Sequence, residues 1–268
     1  LNGKNALVTG GGGLLAKQHA LALSQLGAKV FLCDLNLESA TKNSEEINKD
    51  LNMDVVFPIN MDVTKEDSIK KTIEILNSKY GNIDILINNA AINPQMSSKK
   101  NVSPKDDYLE NFPLEIWNSH INVGLTGAFL CSRHIGKKMS NNSGGIILNI
   151  ASDLSVISPD HRIYGLTKDG KRIVKPVAYS VVKAGIVGLT KYLSTYWADK
   201  GVRSNSLSPG GVYTNQEDDF VQKISKLIPF GRMAGQSEYI GAIQFLCSDA
   251  SKYLNGQNII MDGGRSVW

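Results

Sequence analysis

Apolar residues along this chain alternate between two rhythms. Asn5-Ala6-Leu7-Val8-Thr9 is a short apolar run that ends in the glycines Gly10 to Gly13. Ala16, Ala20, Leu21, Leu23 and Leu26 then recur at helical spacing as far as Gly27. Lys29-Val30-Phe31-Leu32-Cys33-Asp34 predicts the next strand. The same alternation continues with a strand over 54–59 leading to Asp62, and a helix over 66–79 with Ile69, Ile73 and Leu76 on one face. Strands follow at 83–87 and 145–150, the latter just before Ser152, then a helix at about 179–199 and strands near 202–207 and 258–261. Nearly continuous apolar strands separated by helices predict a parallel sheet covered on both faces. The fold class is therefore α/β, a single doubly wound domain over 1–268 with about seven strands. No repeat, low-complexity tract or linker interrupts it.

Composition adds little except exclusions. Hydrophobic residues make up 42% and charged residues 20% of the 268 positions, which excludes a disordered or fibrous chain. No apolar run reaches the roughly 18 residues that a bilayer span needs, and Leu1-Asn2-Gly3-Lys4 has no leader pattern. No membrane role is expected. The cysteines Cys33, Cys131 and Cys247 form no CxxC pair and read as buried thiols, so the cytoplasm is the expected compartment. A net charge of +4 carries no nucleic-acid motif with it. His19, His120, His134 and His161 lack ligand spacing, so no metal is expected.

The glycine turn is the first chemical signal. Gly11, Gly13 and Ala16 read as G-x-G-x-x-A between a strand and a helix. That placement lets backbone approach a pyrophosphate at a helix N-terminus. Asp34 closes the next strand about twenty residues on, where a carboxylate accepts hydrogen bonds from an adenosine ribose. It would also repel a 2′-phosphate, and Leu35-Asn36-Leu37 supplies no arginine, so NAD is expected in preference to NADP. A flexible loop and a turn aspartate are the bland alternatives.

Tyr179 and Lys183 stand four residues apart at the start of a predicted helix, on one face of it. A phenol of ordinary pKa about 10 is a poor proton carrier at neutral pH, and a nearby ammonium favours its phenolate. The spacing alone is common, as Tyr164-Gly165-Leu166-Thr167-Lys168 shows. Context separates the two copies. Lys183-Ala184-Gly185, Gly201-Val202-Arg203-Ser204-Asn205 and Ser208-Pro209-Gly210-Gly211-Val212 follow Tyr179, and Thr9-Gly10, Asn88-Asn89-Ala90, Asn122 and Ser152 precede it. With Asp262-Gly263-Gly264, these motifs cover nearly the whole chain in order. The sequence resembles the single-domain short-chain dehydrogenase/reductases, which have a Rossmann fold.

That resemblance implies an NAD(P)-dependent enzyme acting on CH–OH groups. It makes Tyr179 the general acid/base, Lys183 the ribose anchor that lowers the phenol pKa, Ser152 the partner of the substrate oxygen and Asn122 the holder of a relay water. It implies cofactor contacts from Gly10, Gly13, Leu14, Leu15, Asp34 and Leu35. Asp62 and Val63 would meet the adenine, Asn89 and Ala90 its ribose, and Pro209, Gly210, Val212 and Thr214 the nicotinamide. It also implies a homodimer or homotetramer. One departure stands out: Leu14 and Ala16 occupy the family's second and third glycine positions, so Gly10-x-x-Gly13-x-x-Ala16 instead matches the family's nucleotide-sugar-modifying branch.

Two insertions are predicted, near 94–113 and 159–177. Ser152 and Tyr179 lie 27 residues apart, about twice the family's usual separation. The extra segment carries His161, Arg162, Lys168, Lys171, Arg172 and Lys175 against two aspartates. Cations over an active site suit an anionic small molecule, with Arg162, Lys171 and Arg172 as candidate contacts. A solvated hairpin or an oligomer contact is the alternative. The ending Asp262 to Trp268, with Asn111-Phe112-Pro113-Leu114 and Ser152-Asp153-Leu154-Ser155, is similar to a bacterial subgroup of surface-sugar and flagellin-glycan enzymes. The expected substrate is an anionic sugar, such as a sugar phosphate or nucleotide sugar. A general carbonyl or 3-oxoacyl-thioester reductase and a non-catalytic cofactor sensor are the rivals.

Overall fold

The seven apolar runs become seven strands in the computed structural model, which describes residues 1–93, 108–167 and 170–268. They are β1 (Asn5–Thr9), β2 (Lys29–Asp34), β3 (Val56–Asn60), β4 (Ile85–Asn88), β5 (Gly145–Ile150), β6 (Val202–Pro209) and β7 (Asn258–Met261). All neighbours pair in parallel, in the order β3-β2-β1-β4-β5-β6-β7. Parallel neighbours require crossovers. Among the described residues these are built from helices α1 (Leu14–Gln25), α2 (Leu37–Leu51), α3 (Glu66–Tyr80), α4 (Leu114–Ile121), α5 (Gly127–Ser140), α6 (Val177–Tyr196), α7 (Asp218–Ser225) and α8 (Ile240–Leu246). The strand order reverses between β1 and β4, and at such a switch point the loops after the strands diverge to leave a crevice.

Side-chain alternation along the strands sorts the core into two layers. Ala6, Val8, Val30 and Leu32 pack with Ala16, Ala20 and Leu23 of α1, Ala40 and Ile47 of α2, and Ile243 and Leu246 of α8. Leu7, Phe31 and Leu86 face the other way, against Ile69, Ile73 and Leu76 of α3 and Leu130, Ile135 and Met139 of α5. Each large aliphatic side chain so buried contributes about 1.5–3 kcal/mol. The three thiols divide between the layers: Cys33 and Cys131 belong to the α3/α5 side and Cys247 to the α1/α8 side, all fully buried.

Element ends follow local chemistry. The Asn36 side chain caps α2 by accepting from the Ser39 amide (3.1 Å), and left-handed Asn52 ends the helix. Strand β3 begins at Val56, two residues later than the apolar run predicts. The Asn48 carboxamide accepts from both Val55 and Val56 backbone amides, so the chain leaves a side-chain clamp before joining the ladder.

The first predicted insertion falls largely on 94–107, outside the described residues. The second is docked at its start, while Leu166, Gly170 and Arg172 further on are exposed. Its turn His161–Tyr164 buries Ile163 against Ile224, Ile228 and Met233, and Tyr164 stacks on Phe220 at 5.7 Å between centroids. An antiparallel bridge joins Leu166 to Arg172.

Candidate active site

The loop after β1 forms one wall of the crevice. Gly10 is left-handed (φ 66°), and a Cβ there would lie 2.8 Å from Ala90 Cα, so the loop passes directly under the residues after β4. Gly11 donates to the Cys33 carbonyl at 3.0 Å, and Asn43 of α2 donates to the Gly11 carbonyl at 2.9 Å. Gly13 precedes α1 in extended conformation without a side-chain cap, leaving the first-turn amides to face the crevice. Leu14 is 43% exposed and Leu15 packs toward the core, so neither side chain fills the loop. The Asp34 carboxylate is oriented by two backbone donors, Gly12 N–H at 2.9 Å and Asn36 N–H at 2.8 Å. Leu35 beside it is exposed. A Cβ on Gly12 would come within 2.6 Å of Ser39 and 3.3 Å of the Asp34 carboxylate. A glycine cradle, an open helix N-terminus and an oriented carboxylate fit the pyrophosphate and ribose of a dinucleotide.

The remaining expected cofactor positions line the same edge of the sheet. Asp62 accepts from the Thr64 amide and hydroxyl at 2.9 and 2.7 Å, and Val63 is buried against Gly127. Asn89 donates to the Thr9 and Gly10 carbonyls, which ties β4 to the glycine loop, and the Ala90 amide donates to Thr9 Oγ1. Pro209 ends β6, and Gly210 donates to the Met261 carbonyl in a space that a Cβ would share with Asp262 Cα at 2.7 Å. Val212 bridges to Ala234, and Thr214 donates its amide to the Gln216 side chain on the exposed rim.

Across the crevice, α6 carries Tyr179 and Lys183. A buried polar string fixes this helix on the sheet: Asn88 donates to Ser132 (2.9 Å) and to Asn149 (2.8 Å), and Asn149 donates to Thr190 of α6 (2.9 Å). Lys183 is buried, donates to the Ile150 carbonyl at 2.7 Å, and lies 5.7 Å from the Tyr179 ring centroid. Burial pulls the Lys183 ammonium down to about 8, with Lys175 adding to the shift. Burial pushes the Tyr179 phenol up to about 12; the neighbouring Ser152 side chain draws it down and Asp153 adds to the rise. Ser152 itself is buried immediately after β5. Asn122 begins a π-helical segment, Asn122–Thr126, that joins α4 to α5; such wide turns are frequent at functional sites. Asn122 is exposed, and its segment packs on α6, where a Cβ on Gly124 would lie 2.5 Å from Val182. The structure thus gathers Ser152, Tyr179 and Lys183 into one cluster, with the segment that Asn122 begins packed on the same helix.

The cations of the insertion stand in three different settings. Arg162 makes a bidentate pair with Asp160 (2.8 and 2.7 Å), with its side chain 82% exposed. Lys171 and Arg172 sit on the small hairpin, where their backbone carbonyls accept from Thr167 and from the Tyr108 hydroxyl. Among the described cations of the insertion, Lys175 lies against the phenol, 4.2 Å from the Tyr179 ring centroid and hydrogen-bonded to Asn93 at 2.7 Å. Three further residues escaped the sequence reading. Asp153 and Arg265 form a buried ion pair beside Ser152, and His19 of α1 is fully buried near Asn89 and Lys183, with no well-formed hydrogen bond to either ring nitrogen. Among the described residues no group of His, Cys, Asp and Glu could hold a metal ion, and no helix is long and apolar enough to cross a membrane.

Sheet order, glycine crevice and Tyr–Lys–Ser cluster define a dinucleotide-dependent oxidoreductase of the Rossmann type. Residues 4–225 match the short chain dehydrogenase family, and the chain belongs to it. It is 31% identical to a D-threitol dehydrogenase of Mycolicibacterium smegmatis, over all of this chain and 94% of the relative. It is 32% identical to a 3-oxoacyl-[acyl-carrier-protein] reductase of Thermotoga maritima, over 98% of each. Among solved structures, a short chain dehydrogenase from Leptospira borgpetersenii with bound NAD+ superposes with a TM-score of 0.83 at 32% identity, covering 100% of this chain and 94% of that one. A gluconate 5-dehydrogenase from Burkholderia cenocepacia in complex with NADP and tartrate superposes with a TM-score of 0.84 at 27% identity, covering 100% and 97%.

Proposed function

We propose that this enzyme uses NAD to exchange a hydride with a hydroxyl or keto carbon of a small, anionic, sugar-like substrate. The observation that carries the substrate class is the second ammonium, Lys175, set over the Tyr179 ring beside Lys183. A sugar phosphate, nucleotide sugar or sugar acid supplies the complementary charge. The likeness of the Asp262–Trp268 segment to surface-glycan enzymes puts those sugars first in any screen, within a cytoplasmic bacterial setting.

When bound, the dinucleotide gives or takes the hydride and, in its oxidised form, adds positive charge near the phenol. Tyr179 moves the proton. Buried and protonated, it donates to the substrate oxygen during reduction; the Lys183 ammonium and the Ser152 hydroxyl favour the phenolate that accepts a proton during oxidation. Ser152 fixes the substrate oxygen, Lys183 holds the nicotinamide ribose, and Asn122 positions a water between Lys183 and solvent. Gly10, Gly13, Leu14 and Leu15 hold the pyrophosphate by backbone. Asp62 and Val63 flank the adenine, Asn89 and Ala90 its ribose, and Pro209, Gly210, Val212 and Thr214 frame the nicotinamide. NAD is favoured because Asp34, already oriented by two amides, opposes a 2′-phosphate. The exposed aromatic face of Phe129, Tyr192 and Tyr196 supports assembly into a dimer or tetramer.

Titration with NADH and NADPH, followed by nicotinamide fluorescence, tests the cofactor assignment. The native chain should prefer NADH, and Asp34→Ala should erase at least about tenfold of that preference, equivalent to about 1.4 kcal/mol. Turnover screening then tests the substrate class against sugar phosphates, nucleotide sugars, sugar acids, neutral polyols and a 3-oxoacyl thioester. Turnover of the thioester or neutral polyols alone would replace this reading.

A further inference from the structure

Ser152 shares its single proton with an unusual neighbour. Its hydroxyl donates to Asp153 Oδ1 at 2.9 Å, and the Leu154 amide donates to the same oxygen at 2.8 Å and to Ser152 Oγ at 3.2 Å. The other carboxylate oxygen, Oδ2, accepts from Arg265 Nη1 at 2.8 Å, with the two side chains 5% and 7% exposed. Arg265 comes from a turn after β7 that is built independently of Asp153. Asp262 accepts from the Gly264 amide (2.9 Å) and the Ser266 amide (2.7 Å), and Gly264 is left-handed at φ 91°. The guanidinium is therefore delivered to the carboxylate by a preformed turn.

A hydroxyl has one hydrogen to give. Given to Asp153, it is withheld from the substrate oxygen and from Tyr179. A bare buried carboxylate would hold that proton hard, because nothing nearby would disperse its charge. We infer that Arg265 is a positioning residue: its buried ion pair with Asp153 compensates the carboxylate that holds the Ser152 hydroxyl, leaving that proton available to the oxygen exchanged with Tyr179. This rests on the roles of Ser152 and Tyr179 proposed above. Among the described residues, the charged and titratable groups around Tyr179 are Lys183 of α6, Lys175 and Tyr164 of the insertion, and Asp153 after β5. Arg265 acts on this set through Asp153. Asp153 already pushes the Tyr179 phenol upward, so any loss of its counter-ion strengthens that push.

The two halves of the pair make opposite predictions. Arg265→Met should raise the pH of half-maximal kcat for alcohol oxidation by about one unit, and Asp153→Asn should lower it by about as much. In Arg265→Met, kcat near neutrality should fall at least about tenfold with KM changed less than about twofold, and Arg265→Lys should recover most of the loss. Tyr179 ionisation, followed by NMR on protein labelled with 13C at tyrosine Cζ and assigned with Tyr179→Phe, needs no substrate. Asp153→Asn should ionise first, the native chain next and Arg265→Met last. The same titration in all three proteins overturns the inference whether or not the enzyme turns over. The expected order without turnover of any substrate upholds the coupling and overturns only the proposed reaction. Should Arg265→Met fail to fold, Asp153→Asn decides alone: titration of Tyr179 as in the native chain overturns the inference.

Discussion

Burial acts with opposite sign on the two ends of the proton-transfer pair. It disfavours charge, so it raises the Tyr179 phenol to about 12 and lowers the Lys183 ammonium to about 8. Tyr179→Phe should cut kcat by about 10²–10⁴ while leaving NADH affinity within about twofold, as fluorescence titration would show. Lys183 also leaves a mark on stability. Between about pH 8 and its ordinary 10.5 the unfolded chain binds a proton there that the folded chain does not, so folding stability from this group rises with pH across that window. Urea midpoints measured from pH 8 to 10 should rise less in Lys183→Met. His19 works in the acid range. Burial, with Lys183 nearby, holds it down to about 3, although the Asn89 side chain pulls the other way. The stability due to its neutral form is complete above pH 6.5 and is lost as the pH falls toward 3. Because Asn89 Nδ2 is given to the Thr9 and Gly10 carbonyls and no well-formed hydrogen bond reaches either ring nitrogen, His19→Leu should cost little near neutrality and should flatten the fall of the urea midpoint between pH 6.5 and 4.

At the scale of elements, the sheet was plain in the sequence because central parallel strands are buried on both faces and read as unbroken apolar runs. The expected first wall of the crevice follows from the same logic. Gly11 lies so close to β2 that a Cβ would sit 2.8 Å from Leu32 backbone and side-chain atoms. Gly11→Ala should therefore destabilise the fold by about 1–3 kcal/mol and weaken NADH binding, as denaturant unfolding and fluorescence titration would show. Helices α4 and α5 were not legible, since Asn122-Val123-Gly124-Leu125-Thr126 widens into a π-helical segment and breaks the 3.6-residue rhythm where the two join. Tyr164, spaced like Tyr179 from a lysine, sits at the end of a 3₁₀ turn instead of on an α-helix, and its lysine, Lys168, lies outside the described residues. The Asp153–Arg265 pair was invisible for a different reason. Its members lie 112 residues apart, and no periodicity relates segments that only the sheet order brings together. Basic residues were easy to count in the insertion, but which of them faces Tyr179 depends on how Ile163 and Tyr164 anchor the segment to α7.

For the whole molecule, the sheet order puts every proposed catalytic group on one rim and leaves the outer faces of α5 and α6 free to carry other work. Phe129, Tyr192 and Tyr196 are all exposed there, with Tyr192 stacked on Tyr196 at 5.6 Å. Light scattering should give a mass that is a whole multiple of 29.1 kDa. Tyr192→Glu combined with Tyr196→Glu should reduce it, because a like-charge pair desolvated at a two-fold contact opposes association. The division of the core into two layers reaches further. Thiols so deeply buried, two on one side of the sheet and one on the other, are raised far above the pH at which alkylating reagents attack. They are dark until the layer around them opens. Pulsed iodoacetamide labelling, with each modified cysteine located by mass, therefore times the two layers separately in the unaltered protein. Equal rates at Cys33, Cys131 and Cys247 would mean that the sheet releases both coats of helices in one event; earlier labelling at Cys247 would mean that the α1/α8 coat peels away first.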